Sequence, residues 1–308
     1  MEKIYDMLII GGGPAGYSAA LYAARAGLSV AVIEKMSVGG QLTLTDTVEN
    51  YPGFDEGIDG FELGARMQSG AERFGAETVY AEVLSVSLKD EIKRITTDSG
   101  EYLSRTVVIA TGAYPRELGI RGERERLGRG VHYCAHCDGR FYRGKTVAVI
   151  GCGNSAAGDA LYLSRLAERV ILIHRRDALR AERAYLGELL ARENVEIMYN
   201  TVAEEVLYGD SVSGIRVKDT VTGIVRDLAC DGVFVSIGRK PTTELFASEI
   251  SLDKDGYIDA DESTATSVKG VFAAGDVRRK PLRQIVTAVA DGATAVSLAE
   301  KYLSEKTN

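Results

Sequence analysis

The side chains best suited to chemistry are two cysteines separated by two residues, in the run Val131-His132-Tyr133-Cys134-Ala135-His136-Cys137-Asp138-Gly139. Such spacing permits a small disulfide ring that opens and closes with little backbone change, as a two-electron shuttle requires. The rival is a metal, because His132 and His136 flank the thiols. Structural zinc takes four ligands, usually from two paired clusters, and the chain has no second Cys or His pair, so no metal site is expected. His132 and His136 then read as ordinary polar residues beside a reactive pair, with His136 able to modulate a thiolate. Asp138 is either a turn residue or a proton donor and acceptor for the thiols. The other two of the 4 cysteines, Cys152 and Cys230, have no close partner in sequence and read as small structural residues.

Two glycine turns are the next chemical feature. Gly11, Gly13 and Gly16 follow the apolar run Met7 to Ile10 and open an alanine-rich helical stretch to about Ala26. In this pattern the first glycine makes the sharp turn, the second lets the backbone approach a pyrophosphate, and the third lets helix and strand pack closely. Pro14 fits the first helical turn, and the free amides there, with the helix dipole, attract phosphate. Glu34 ends the next apolar run, Leu28 to Ile33, at the place of an acid that accepts hydrogen bonds from ribose hydroxyls.

The grammar returns at Thr146 to Ile150, Gly151-Cys152-Gly153-Asn154-Ser155-Ala156, a helix to about Leu166, and Val170 to Ile173. Here the second strand ends at His174-Arg175-Arg176, with Arg180 beyond. A carboxylate would repel a 2′-phosphate, whereas guanidinium groups pair with it bidentately, so this half is expected to take NADPH over NADH. A solvated basic face is the plainer alternative.

These elements sit in a chain of 308 residues, long enough for two domains. Hydrophobic residues at 45% and charged residues at 26% exclude a disordered or fibrous chain. Against 37 basic residues stand 44 acidic ones, a net −7, the wrong sign for nucleic acid. The stretch Met7 to Ile33 carries Arg25 and a glycine run, so neither a signal peptide nor a membrane span is expected, and the cytoplasm is the default compartment. Further β-rich pieces are expected at Thr78 to Leu88, Ile92 to Thr97, Thr106 to Ala110, Glu196 to Val206 and Gly214 to Val217. Gly232 to Ile237 and Gly270 to Ala274 end against Gly238 and Gly275, as parallel strands facing a ligand do.

Taken in order, Gly11 to Gly16, Gly39-Gly40-Gln41-Leu42, Glu49-Asn50-Tyr51-Pro52-Gly53, Ala110-Thr111-Gly112, Cys134 to Gly139, His174-Arg175-Arg176 with Arg180, and Ala274-Gly275-Asp276 with Arg283-Gln284 closely resemble the low-molecular-weight thioredoxin reductases over almost the whole chain. The resemblance implies an α/β fold of two Rossmann-like dinucleotide-binding domains. The NADPH domain, 116–241, would be inserted into a discontinuous FAD domain, 1–115 and 242–308. It further implies FAD held by the first glycine turn (Gly11, Gly13, Pro14, Ala15, Gly16), Glu34, Lys35, Gly39, Gly40, Gln41, Asn50, Ala110, Thr111, Gly112, Gly275, Asp276, Arg283, Gln284 and Ile285. NADPH would lie on Gly151, Gly153, Asn154, Ser155, Ala156, His174, Arg175, Arg176 and Arg180.

In the family's scheme electrons pass from NADPH through FAD to a Cys134–Cys137 disulfide. Cys137 would face the flavin, Cys134 would attack oxidised thioredoxin, and Asp138 would be the acid and base. The scheme also implies a homodimer, and a rotation of one domain against the other, with hinges near 113 to 116 and 238 to 242. One departure is His136, at a place where the family has a small polar residue such as threonine. It leaves the chemistry intact and bears on partner preference and thiol acidity.

Rival functions fit less well. A peroxiredoxin-system reductase would carry an extra N-terminal thioredoxin-like region. A ferredoxin-driven relative would lack the arginines at 175, 176 and 180, and a ferredoxin-reducing flavoprotein would lack the cysteine pair. A redox sensor that holds nucleotides without turnover is the alternative from another class.

Overall fold

The run Ile4–Ile10 (β1) has Met7, Leu8 and Ile9 wholly buried, as a strand covered on both faces must. Through the glycine turn it feeds α1 (Pro14–Arg25) and β2 (Val30–Glu34), which lies parallel to β1 with Met7 opposite Val30 and Ile10 opposite Ile33. Next come α2 (Gly60–Glu72), whose Asp59 cap accepts the Glu62 N–H at 2.9 Å, and β3 (Glu77–Tyr80), β4 (Val83–Ser87), β5 (Lys93–Thr97), β6 (Gly100–Ile109) and β7 (Ala113–Pro115). After β8 (Val131–His132) and the short helix α3 (Ala135–Asp138), the strand-turn-helix-strand pattern repeats as β9 (Thr146–Gly151), α4 (Asn154–Leu163) and β10 (Arg169–Ile173). Then come α5 (Arg183–Leu190), β11 (Val195–Met198), β12 (Thr201–Tyr208), β13 (Val212–Asp219), β14 (Val225–Ala229) and β15 (Gly232–Ser236). The chain ends with β16 (Arg239–Pro241), β17 (Val271–Ala273) and α6 (Ile285–Thr307).

This computed structural model describes residues 3–45 and 47–307. The chain divides into two units, Met1–Tyr114 with Lys240–Asn308, and Pro115–Arg239. In the first, the sheet runs β3-β2-β1-β6-β5-β4, with β17 added parallel to β6. In the second, a parallel sheet runs β11-β10-β9-β15-β8, beside an antiparallel β12-β13-β14. Each unit thus has parallel strands with a glycine turn between strand and helix, the Rossmann-like α/β architecture expected, and the first sheet is extended by β5 and β4, which run antiparallel beyond β6. Each has its own apolar layers. In the first, Ile9, Val32 and Val108 pack against α1 and α6; in the second, Val147, Val149 and Leu172 pack against α4.

The apolar pattern predicts one β-rich piece over Thr78 to Leu88, whereas the structure breaks it at Ala81, whose N–H turns back to the Glu34 carbonyl at 2.9 Å. The helices Gly60–Glu72 and Ile285–Thr307 have no counterpart among the elements expected from sequence. Among the described residues no helix is long and apolar enough to cross a membrane.

Candidate active site

The first glycine turn is shaped by contacts that leave no room for side chains except where a ligand would go. Gly11 has φ +107°, and a Cβ there would stand 2.5 Å from the Ala110 carbonyl oxygen; at Gly16 it would stand 1.9 Å from the Gly11 oxygen. At Gly13, the N-cap of α1, a Cβ would meet nothing within 4 Å. Open space at the second glycine, above first-turn amides with no acceptor inside the helix, is the space a pyrophosphate needs. Glu34 lies beside it, its two carboxylate oxygens accepting the Gly12 N–H at 2.6 Å and the Met36 N–H at 3.0 Å.

Of the other predicted residues of this unit, Gly39, Gly40 and Gly275 lie against the same turn, and the rest make contacts of their own. The Gly39 N–H donates to the Gly12 carbonyl at 2.8 Å, and a Cβ at Gly40 would lie 3.5 Å from the Gly13 Cα. Gln41 donates to the Ala113 carbonyl at 2.6 Å, and Thr111 to the Thr242 carbonyl at 2.7 Å. Asn50 Nδ2 donates to Gln284 Oε1 at 3.0 Å, which joins two segments far apart in sequence. Gly275 has φ +81°, and a Cβ there would come within 2.9 Å of Ala15, so the turn carrying Asp276 lies against the start of α1. Arg283 lies over the Tyr257 ring at 4.1 Å. Lys35 is exposed and pairs with Glu82 at 2.7 Å, while Ile285 begins α6.

A buried ion cluster that no motif announces fixes that turn. The Asp291 carboxylate accepts the Gly275 N–H at 2.9 Å, Arg278 at 2.9 and 2.8 Å, and Lys280 at 2.7 Å. Burial pushes the Asp291 carboxyl upward, but the hydrogen bonds from Arg278 and Lys280 outweigh it and hold it below its ordinary value of 3.8. Removing the charge would take from buried Arg278 and Lys280 the carboxylate they share, leaving Arg278 only the carboxylate of Glu262, 3.1 Å away at the surface. Asp291→Asn is therefore expected to cost about 3–5 kcal/mol of stability, read as a fall in the midpoint of denaturant unfolding at neutral pH. Because the folded-state value is depressed, the wild-type advantage is present above pH 3.8 and is lost as the pH falls through that depressed value, so the two unfolding curves should converge in acid.

The second glycine turn repeats the cradle. A Cβ at Gly151 would stand 2.4 Å from the Ser236 carbonyl oxygen and 2.5 Å from Ala156, whereas at Gly153, the N-cap of α4, it would meet nothing within 4 Å. Asn154 is clasped by Glu182, donating to its carboxylate at 2.8 Å and accepting its N–H at 2.9 Å, and Ser155 is exposed. His174 is buried, and its Nε2 donates to the Ala178 carbonyl at 2.9 Å. Burial, and then the neighbouring arginines, lower its pKa, so the positive charge at this rim comes from the exposed Arg175, Arg176 and Arg180. The Arg180 N–H donates to the Cys152 carbonyl at 2.8 Å and its guanidinium lies 3.4 Å from the Cys152 sulfur, which ties the rim to the turn.

The cysteine pair rides on the same unit. Cys134 and Cys137 are joined as a disulfide, with Cα atoms 5.3 Å apart, and Cys134 is the N-cap of α3, its sulfur accepting the Cys137 N–H at 3.2 Å. The pair is half-buried. Gly139, next in the chain, lets α3 pack onto α4: a Cβ there would lie 2.9 Å from Leu163 and 3.0 Å from Tyr162. Asp138 receives His132 Nδ1 at 3.1 Å. His136 stacks on Tyr162 with ring centres 4.2 Å apart, and its Nδ1 lies 4.0 Å from Asp159. Cys230 is buried and its thiol is pushed up to about 12 by that burial, which leaves it inert. Among the described residues no group of three or more His, Cys, Asp or Glu is placed to hold a metal ion.

Known proteins share this geometry. Residues 5–292 match the family model for pyridine nucleotide-disulphide oxidoreductases. The chain is similar to the thioredoxin reductase of Treponema pallidum, 47% identical over 308 residues with all of both chains covered. It is also similar to that of Listeria innocua, 46% identical over 305 residues, covering 99% of this chain and 95% of the relative. The crystal structure of the Streptococcus pyogenes thioredoxin reductase superposes with a TM-score of 0.93 at 43% identity, covering 99% of this chain and all of that one.

Proposed function

The chain belongs to the pyridine nucleotide-disulphide oxidoreductase family, among its low-molecular-weight thioredoxin reductases, and we propose how its own residues divide the work of reducing a thioredoxin disulfide with NADPH and FAD. The observation that carries the division is the closed Cys134–Cys137 disulfide at the start of α3, on the unit that also holds the arginine-rimmed glycine turn. The residues at both turns fit dinucleotides, since the only open glycine positions within their motifs, Gly13 and Gly153, are those a pyrophosphate approaches.

In this reading FAD is held in unit one by Gly11 to Gly16, Glu34, Gly39 to Gln41, Asn50, Thr111, Asp276 and Gln284, and NADPH in unit two by Gly151 to Ala156 and the three arginines. When bound, FAD relays to the disulfide the two electrons that NADPH supplies. The remaining steps are carried out by the chain's own side chains. The Cys134 thiolate attacks the substrate disulfide, Cys137 attacks the resulting mixed disulfide and releases the substrate's second thiol, and Asp138 takes protons from the enzyme's thiols and returns them to the leaving ones. The same reading includes a homodimer, on the family resemblance, and residence in the cytoplasm, the default compartment expected from the sequence.

The experiment mixes purified flavin-loaded protein with NADPH and catalytic amounts of oxidised thioredoxin, regenerated by a disulfide dye. Continued loss of NADPH absorbance over many turnovers is expected. A single stoichiometric oxidation would instead mark a redox sensor and overturn turnover as the function.

A further inference from the structure

His132, an ordinary polar residue by its sequence context, is 5% exposed in the structure and sits in a box of aromatic rings: it stacks on Phe234 with centres 5.2 Å apart and meets the edge of Tyr142 at 5.3 Å. Gly232 makes the box possible, because a Cβ there would stand 2.2 Å from the Tyr142 ring. A buried imidazole in apolar surroundings needs both nitrogens satisfied. They are: Nδ1 lies 3.1 Å from Asp138 Oδ2, and Nε2 lies 2.7 Å from the Tyr142 hydroxyl.

For a carboxylate at Asp138 and a neutral imidazole at His132, these contacts have one consistent direction of hydrogen bonding. An ionised carboxylate only accepts, so Nδ1 must carry the proton that faces Asp138. A neutral imidazole then has its lone pair at Nε2, and the Tyr142 O–H donates to it. Burial, and then the charge of Asp138, push the phenol's pKa upward, so Tyr142 keeps its proton and serves as an anchor. The order is Tyr142 O–H to Nε2, then Nδ1–H to Asp138 Oδ2.

We propose that His132 is a positioning residue for thiol–disulfide exchange: held in one tautomer by Tyr142, it tethers one oxygen of Asp138 and leaves the other to exchange protons with the neighbouring cysteine pair. In that exchange the Cys134–Cys137 bond forms, the substrate S–S bond breaks, two electrons pass from the enzyme's sulfurs to the substrate's, and two protons go with them by way of Asp138. The inference rests on the acid–base role proposed for Asp138.

The test compares two replacements that keep different atoms of the imidazole. His132→Asn retains a donor near the position of Nδ1, whereas His132→Gln places its amide near Nε2 and loses the bond to Asp138. For His132→Gln, kcat for thioredoxin reduction is expected to fall about tenfold, part of what acid–base assistance contributes, with KM for thioredoxin and the rate of flavin bleaching by NADPH unchanged. His132→Asn should recover kcat to within about threefold of wild type. Equal losses in the two variants, or none in either, would overturn the proposal, because both lose the aromatic ring and Asn, the smaller side chain, would suffer more if packing alone mattered.

Asp138→Asn serves as the control for the underlying reading. If it leaves kcat unchanged, the acid–base role falls and the proposal with it; if it is crippled while the His132 pair behaves alike, the proposal alone falls. Should the His132 variants fail to fold, Tyr142→Phe, which removes only the hydroxyl, decides: a lower kcat at unchanged KM is expected, and wild-type kcat would overturn the tautomer lock.

Discussion

Cys134→Ser is expected to lose thioredoxin reduction by at least about 10³-fold, while NADPH still bleaches the flavin at the wild-type rate. Losing the attacking thiol ends exchange with the substrate, because Cys137 then has no partner with which to close a disulfide. The complementary Cys137→Ser leaves an attacking thiol with nothing to resolve it, so a Cys134–thioredoxin mixed disulfide should accumulate on a non-reducing gel. Thioredoxin turnover retained by Cys134→Ser, or a mixed disulfide trapped by that variant in place of Cys137→Ser, would reverse the roles assigned to the two sulfurs. Neither Cys152 nor Cys230 is expected to substitute: each lies in a different part of the unit and neither has a partner sulfur.

The second large effect concerns the nicotinamide coenzyme. Arg175 and Arg176 are exposed at the end of β10 and together with Arg180 form the positive rim of the second turn, His174 being neutral and turned inward. A hydrogen bond to a charged group contributes about 1.5–3 kcal/mol, and the low end suits an exposed rim screened by water. Two such bonds lost make about 3 kcal/mol, so the double variant Arg175→Ala/Arg176→Ala should raise KM for NADPH about 100-fold. KM for NADH, which has no 2′-phosphate, should stay within about twofold. Parallel losses for both coenzymes would mean that the arginines support the fold or the pyrophosphate and do not select the phosphate.

The two glycine turns are readable in the sequence because each is forced by a local physical requirement. A strand that ends in Gly-x-Gly before a helix has few other uses, and both turns stand where their motifs stand. The arginines are readable from charge alone. What the sequence hides falls into two kinds. Helix α2 is rich in glycine and α6 in alanine and β-branched residues, which blur the apolar periodicity by which a helix is recognised; α6 is fixed by packing against α1, where a Cβ at Gly292 would stand 2.3 Å from the Ala15 oxygen. The other kind is the buried polar contact. Asp291 stands 16, 13 and 11 residues from Gly275, Arg278 and Lys280, and nothing in that spacing says that three residues donate to one carboxylate. His132 gives one faint signal, a histidine in an apolar strand just before the cysteine pair, and its partners Tyr142 and Phe234 emerge only when β15 folds beside β8.

The electron path to the cysteine pair is tested most directly by alkylation after anaerobic reduction. Flavin-loaded protein is treated with excess NADPH, quenched with iodoacetamide and digested, and the labelled cysteines are identified by mass spectrometry. Labels on both Cys134 and Cys137, with Cys230 unlabelled because its buried thiol is pushed up to about 12, are expected, and prior addition of excess oxidised thioredoxin without further NADPH should remove them. A bleached flavin beside an intact, unlabelled Cys134–Cys137 disulfide would contradict the account, because electrons would then have entered the protein without reaching the sulfurs on which the whole mechanism stands.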